Sequence, residues 1–452
     1  MNVYTISGSL QNPGKGSDPR AILETIAESV TSQLNRHEVP LRFSMISTTG
    51  NTWQYELEVI KTDDPKIIEN IPSLFSYRQR KHERCKDFNI AFLIPTGIDC
   101  AIGGHAGDAA PAARLLASVA DNIILHPNAV NASDINEQPE NALYVEGSMI
   151  ARLLMGEVSL RKVRSNRILV VTENRTDSQW PVNQVINSAN AANAAMGTNC
   201  TKVVVLEKEI SMAMGYSESG RPNGTIDGLE DLLEVLEKEK GNYDAVALAT
   251  KITPGMDIES EFQKYFQGEG PNPWGGVEAA LTHTLSFLYK IPSAHAPTME
   301  DMSLRTIEVG VVDPRKAAET ISTSYMFCIL KGLHQAPQLV DAADCYNDAS
   351  FISAEDVSCL VIPDQCIGIP TLAALMQGIT VIAVKGNGNL MQNDLQSLCF
   401  QTGKLYYAEN YLEAAGLAAA LKKGIHPAAV LRPLAPAQVE YIQQTMLSEN
   451  EI

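Results

Sequence analysis

Residues 88–126 read FNIAFLIPTGIDCAIGGHAGDAAPAARLLASVADNIILH. An apolar run (88–94) enters a glycine-rich turn. An Ala- and Leu-rich stretch (110–119) follows, and then a second apolar run (122–126). Short continuous runs of this kind fit strands covered on both faces, and the stretch between them has helix length. Strand, helix, strand in succession implies parallel pairing through a crossover. The pattern recurs. Runs at 167–172, 202–206, 245–249, 306–312, 326–330, 357–363 and 380–384 read as strands. Segments at 143–155, 182–196, 229–240, 277–289, 314–322, 371–376 and 411–422 read as helices. The expected fold class is α/β and Rossmann-like, a mostly parallel sheet with flanking helices. Ligands in such sheets sit beyond the carboxyl ends of the strands.

Upstream the texture differs. A polar Gly/Pro stretch (8–19), an amphipathic helix (21–34) and two β-type runs (41–47 and 53–60) around Thr48-Thr49-Gly50-Asn51 read as a small α/β unit over residues 1–84. Residues 85–452 then form the main α/β domain, open to division into two lobes near 165–300. The net charge is −18 with no cluster of Lys and Arg, which argues against a nucleic-acid partner and against an anionic membrane surface. No apolar run reaches membrane-spanning length, and the N-terminus has no signal-peptide pattern. The eight cysteines form no CxxC pair, so a zinc ribbon is not indicated and reduced thiols are expected. These features predict a cytoplasmic protein with a small-molecule ligand. They leave a homo-oligomer open.

Residues that follow strands carry the chemistry of such folds. In the turn after 88–94, Gly103, Gly104 and Gly107 allow close backbone approach to an anion, and Asp108 precedes a helix where it could also serve as N-cap. The turn is neither GxGxxG nor a P-loop, so no nucleotide cofactor is indicated. His105 and Cys100 lie in the same turn. After 122–126 come His126, Asn128 and Asn131, and then Glu146. Arg221, in a polar Gly-rich loop (214–224), could meet a carboxylate or phosphate. His295 lies between prolines and Cys366 lies at a strand end, whereas His283 reads as a packed helix residue.

The run quoted above, with HPNAVN and NALYVEG, resembles a conserved family of unknown function found in cyanobacteria and other microbes. The strings GGVEAALTH, IPSAHAP and DPRKAAETISTSYMFCILKGLHQAPQ are similar to the same family in the same order, so the resemblance spans about 88–395. It implies membership and no activity. The residues themselves suggest an enzyme acting on a small anionic metabolite held at the glycine turn. His105, Asp108, His126, Glu146, His295, Cys100 or Cys366 would handle protons; in one variant Cys100 and Cys366 pair as acid and base. Asn128, Asn131 and Arg221 would hold the ligand. Two alternatives stand beside this: a divalent metal on His105, Asp108, His126 and His295 serving a hydrolase or lyase, and a non-catalytic binding protein.

Overall fold

A computed structural model describes residues 1–441 apart from 15–17, 65–66, 68–70, 106, 131–137, 176–177, 254–257, 299–309, 323–324 and 346–347. The chain opens with β1 (Asn2–Gln11), α1 (Pro19–Gln33), β2 (Glu38–Ser47) and β3 (Thr52–Lys61). It continues through β4 (Asn89–Phe92), α2 (Ala110–Ala117), β5 (Asn122–Leu125), β6 (Ala142–Tyr144), α3 (Gly147–Leu154) and β7 (Val158–Arg161). Next come β8 (Arg167–Glu173), α4 (Trp180–Met196), β9 (Asn199–Leu206), the hairpin β10 (Ser211–Tyr216) and β11 (Pro222–Asp227), α5 (Glu230–Lys238) and β12 (Ala245–Ala249). Then follow α6 (Gly275–Tyr289), β13 (Ser293–His295), α7 (Tyr325–His334) and β14 (Gln338–Asp341). The last part is β15 (Val357–Pro363), β16 (Ile367–Gly368), α8 (Ile369–Gln377), β17 (Thr380–Val384), β18 (Leu405–Ala408) and α9 (Tyr411–Lys422).

The protein is mixed α/β. One all-parallel sheet has the order β6-β5-β4-β15-β17-β18, so the chain builds outward from β4 in one direction, leaves, and returns to build outward on the other side. A second parallel sheet has the order β9-β8-β12-β13. Strands β4, β5, β12, β15 and β17 are buried at every residue, which explains their unbroken apolar runs. The chain crosses between the two sheets at β7 and again at β14. These two strands pair antiparallel, with Arg161 opposite Gln338.

The third sheet is antiparallel, in the order β10-β11-β1-β3-β2-β16. Its three central strands come from the N-terminus, but one edge is the hairpin that follows β9 and the other is β16, so residues 1–84 do not complete it. β1 runs on through Gly8 to Gln11, into the stretch 8–19 that reads as a polar Gly/Pro loop. The 214–224 segment, expected as a polar loop, is this hairpin, with Tyr216 paired to Pro222. Two further expectations are corrected. Residues 326–330 are not a strand. They lie in α7, whose buried Met326, Ile329, Leu330 and Leu333 recur at helical spacing once the run is followed past Lys331. The helix expected over 143–155 is split: Ala142–Tyr144 adds to the sheet edge, and Glu146 caps the shorter α3. Most of the strand expected over 306–312 lies outside the described residues.

The hairpin meets α6 closely. A Cβ on Gly276 would sit 2.3 Å from the Pro222 carbonyl oxygen, a backbone atom that cannot swing aside. Gly276→Ala is therefore expected to destabilise the protein by about 1–3 kcal/mol in urea unfolding. An unchanged midpoint would show that helix and hairpin have room between them.

Candidate functional site

The carboxyl ends of the two parallel sheets open onto one cavity of about 320 Å³. From the first sheet come Thr96 after β4, His126 after β5, Glu146 after β6 and Cys366 after β15; from the second come Ile252 after β12 and His295 at the end of β13. β2 forms another wall through Leu41, Phe43 and Met45. Helix α6 lies along the cavity with Gly275, Glu278, Ala279, Thr282, His283 and Phe287 facing in, a spacing of three or four that marks one helix face.

His283 is the centre of the charge network. Its Nδ1 lies 3.0 Å from Glu58 Oε2 and its Nε2 lies 3.0 Å from Glu146 Oε1. Burial works to keep the ring neutral, but Glu146 and then Glu58 push its pKa up to about 9. The ring is an imidazolium clamped between two carboxylates from different sheets. Burial raises the Glu58 carboxyl in turn, yet Arg42, 2.6 Å away, and His283 hold it below its usual range. Glu146 is held low despite burial by His283 and by Ser148, whose backbone N–H donates to it at 3.0 Å as the cap of α3.

His126 is the reverse case. The Ile94 N–H donates to its Nε2 at 3.0 Å, so the neutral ring carries its proton on Nδ1. Burial pushes its pKa down to about 4, and Glu146 only partly offsets this. A Cβ on Gly147 would lie 3.8 Å from His126 Nδ1 and 4.0 Å from His283 Nε2, and both rings line the cavity. His295 Nε2 lies 2.9 Å from Thr250 Oγ1, while its Nδ1 lies 3.4 Å from Glu278 Oε1 without a hydrogen bond. His105 also lines the cavity. Among the described residues neither of its ring nitrogens has a hydrogen-bond partner, and burial, then Lys316 and Arg315, push its pKa down to about 3. Lys316 is fully buried over the Tyr265 ring, 3.9 Å from its centroid.

The glycine turn is built differently from an open anion cradle. The Gly103 N–H donates to Asp108 Oδ1 at 2.6 Å, so the turn wraps a carboxylate of its own. Burial raises the Asp108 carboxyl to about 6 against the pull of the Gly103 and His105 N–H groups. Asp108 is not the helix cap; Ala109 holds that position. Gly103 has φ +83°, and a Cβ there would strike Ile94 Cδ1. Gly104 packs on the Cys100 backbone, and Gly107 also has positive φ. Asn128 ties the turn down by donating to Ile94 O at 3.0 Å and Gly103 O at 2.9 Å.

The remaining expected residues separate. Arg221 is buried away from any ligand loop and donates to Glu56 at 2.9 Å. Cys100 and Cys366 are buried near each other, and burial pushes both thiols up, which disfavours the thiolate that a paired acid–base role needs. Asn131 lies outside the described residues. Among the described residues no three His, Cys, Asp or Glu side chains converge as a metal-holding group, so His105, Asp108, His126 and His295 do not form the expected ligand set.

Sequence reasoning missed His283, Glu58 and Glu278. Along β3, Trp53, Tyr55, Leu57 and Val59 mark one face, and the alternate Gln54, Glu56 and Glu58 read as solvent-facing. The structure covers that second face with α6 and the hairpin. Only the cross-pairing of distant segments buries those carboxylates.

Comparison with known proteins places the chain without giving an activity. An uncharacterized lipoprotein of a Synechococcus species is 32% identical over 340 residues, which cover 75% of this chain and 92% of that protein. The name of that relative overturns the cytoplasmic expectation, which rested on the missing signal-peptide pattern and the reduced cysteines. No helix among the described residues is long and apolar enough to cross a membrane. No solved structure matches. Residues 89–431 match the family described as "Protein of unknown function (DUF3326)", and the chain belongs to that family.

Proposed function

We propose that this protein is an enzyme that performs acid–base chemistry on a small anionic metabolite enclosed between its two parallel sheets. The observation that carries this reading is His126, a cavity-lining ring whose Nε2 accepts from the Ile94 N–H, which leaves Nδ1 to carry the proton of the neutral form. Two titratable groups driven apart by their surroundings, here His126 down and His283 up, are the usual mark of assigned acid and base roles. His126 Nδ1–H would hydrogen-bond to a substrate carbonyl oxygen and polarise it. Glu278, whose Oε1 has no hydrogen bond, lies five residues before His283 on α6, about 7 Å along the axis. Its carboxylate would take a proton from the adjoining carbon, the C–H electron pair moving into the enolate, and later return it. Glu146 and His283 would set the charge around His126, the first pulling its pKa up and the second down. The outward-from-the-centre strand order of the six-stranded sheet supports a Rossmann-like reading of that half, with the cavity at its switch point.

The test is a metabolite extract incubated with the protein in D2O and read by mass spectrometry. Wild type should add deuterium to at least one anionic metabolite, and His126→Asn should slow that incorporation by about a hundredfold or more. No incorporation with wild type would reject the enzyme in favour of a binding protein.

A further inference from the structure

Helix α6 orders the cavity lengthwise. Glu278 and Phe287 are nine residues apart, about 13 Å along the axis, with His283 between them. Near the Glu278 end lie Trp274 and Phe266. At the Phe287 end lies Arg152, its guanidinium carbon 5.0 Å from the Phe287 ring centroid.

Arg152 is only 5% exposed and lines the cavity. Its nearest carboxylate oxygen, Glu157 Oε2, is 3.9 Å away, beyond hydrogen-bonding distance, and Ser76 donates to the other Glu157 oxygen at 3.1 Å. Among the described residues no group accepts a hydrogen bond from the guanidinium. Two other arginines are engaged by the protein itself. Arg221 donates to Glu56, and Arg80 donates to the carbonyls of Gln377, Val357 and Gly378. The guanidinium nitrogens keep access to the cavity, so an anion there would meet donors that no described protein group takes. The surface between Arg152 and Trp274 is largely apolar, through Leu41, Phe43, Leu74, Ile329 and Met391.

We propose that Arg152 is the anion-binding residue of this cavity and that the ligand is an amphiphilic carboxylate or phosphate monoester. Its charged head lies against the guanidinium and its apolar body runs along α6, past His126, toward Trp274. Along the axis His283 lies about 6 Å and Glu278 about 13 Å from Phe287, so the site of chemistry falls between these distances from the head group. This rests on the cavity being a ligand site, as proposed above, but not on catalysis.

The experiment is calorimetric titration of the full chain with 4-phenylbutyrate, phenyl phosphate and the uncharged 4-phenylbutanol. At least one anion should bind about tenfold or more tighter than the alcohol, and the stronger anion identifies the head group. Arg152→Met should remove that preference and leave the alcohol's weak binding in place. Arg152→Lys, which keeps the charge without the fork, should fall between and carries the test if the methionine variant does not fold. Equal binding of acid and alcohol, no binding of any probe, or an anion preference that survives in both variants overturns the assignment. Anion binding that depends on Arg152 in a protein showing no deuterium incorporation would sink the enzyme reading and leave this one standing.

Discussion

Replacement of His283 by leucine is expected to cost about 3–5 kcal/mol of stability, the range seen when one partner of a buried ion pair is removed. The leucine fills much of the ring's volume, so the loss is electrostatic. Glu58 keeps Arg42 at 2.6 Å, but Glu146 keeps only the cap of α3 and Ser148. Two buried carboxylates then face each other across an apolar side chain, and one must take up a proton. Urea unfolding of His283→Leu against His283→Gln checks this. The glutamine amide can still donate to one carboxylate, so its cost should be clearly smaller. Equal losses in both variants would place the effect in packing rather than in charge.

Stability should also fall as pH rises above neutrality, and the same histidine should cause it. Its folded pKa of about 9 lies above the ordinary unfolded value of about 6.5. A group raised on folding contributes fully below its unfolded pKa, and that contribution disappears as pH climbs through the folded value. Over this window the loss is on the order of 3 kcal/mol for His283. Lys316 works in the opposite direction, because burial and Arg315 lower it to about 8, so the unfolded chain binds the extra proton above that pH. His105 and His126, held low, make acid the destabilising side below about 6.5. Wild-type urea unfolding should weaken between about pH 6.5 and 9 while the ring nitrogen NMR shifts of His283 change from the imidazolium to the neutral pattern near the top of that range; a neutral ring already at about pH 7 would show that His283 is not protonated in the folded protein.

How much of this could be read from the chain depended on whether a signal was local. The strands at 245–249, 357–363 and 380–384 and the helix at 411–422 coincide with observed elements, because buried parallel strands write themselves as unbroken apolar runs. The run at 326–330 has the same composition and is helix, since five apolar residues carry no period. His126 was singled out because it follows a strand and His295 because it lies between prolines, and both line the cavity with Glu146. His283 was not legible. It sits mid-helix among apolar neighbours, and its partners lie 225 and 137 residues away in sequence, supplied by a strand that looks amphipathic and a cap that looks like a turn. Arg221 was expected to hold a ligand on a polar loop; it is buried and donates instead to Glu56, which belongs to the same misread strand face.

The antiparallel sheet has a consequence for how the protein is made. Its three central strands leave the ribosome first, yet β1 gains its second neighbour only when Pro222–Asp227 has been synthesised, and β2 gains its own only with Ile367–Gly368. From the completion of β3 until β11 is made the nascent chain therefore carries two unpaired strand edges, and one of them waits until β16 is made; such edges recruit other chains. The order of synthesis makes this sheet the part of the protein most in need of protection by a chaperone, and its N-terminal strands the most exposed to capture by a second nascent copy.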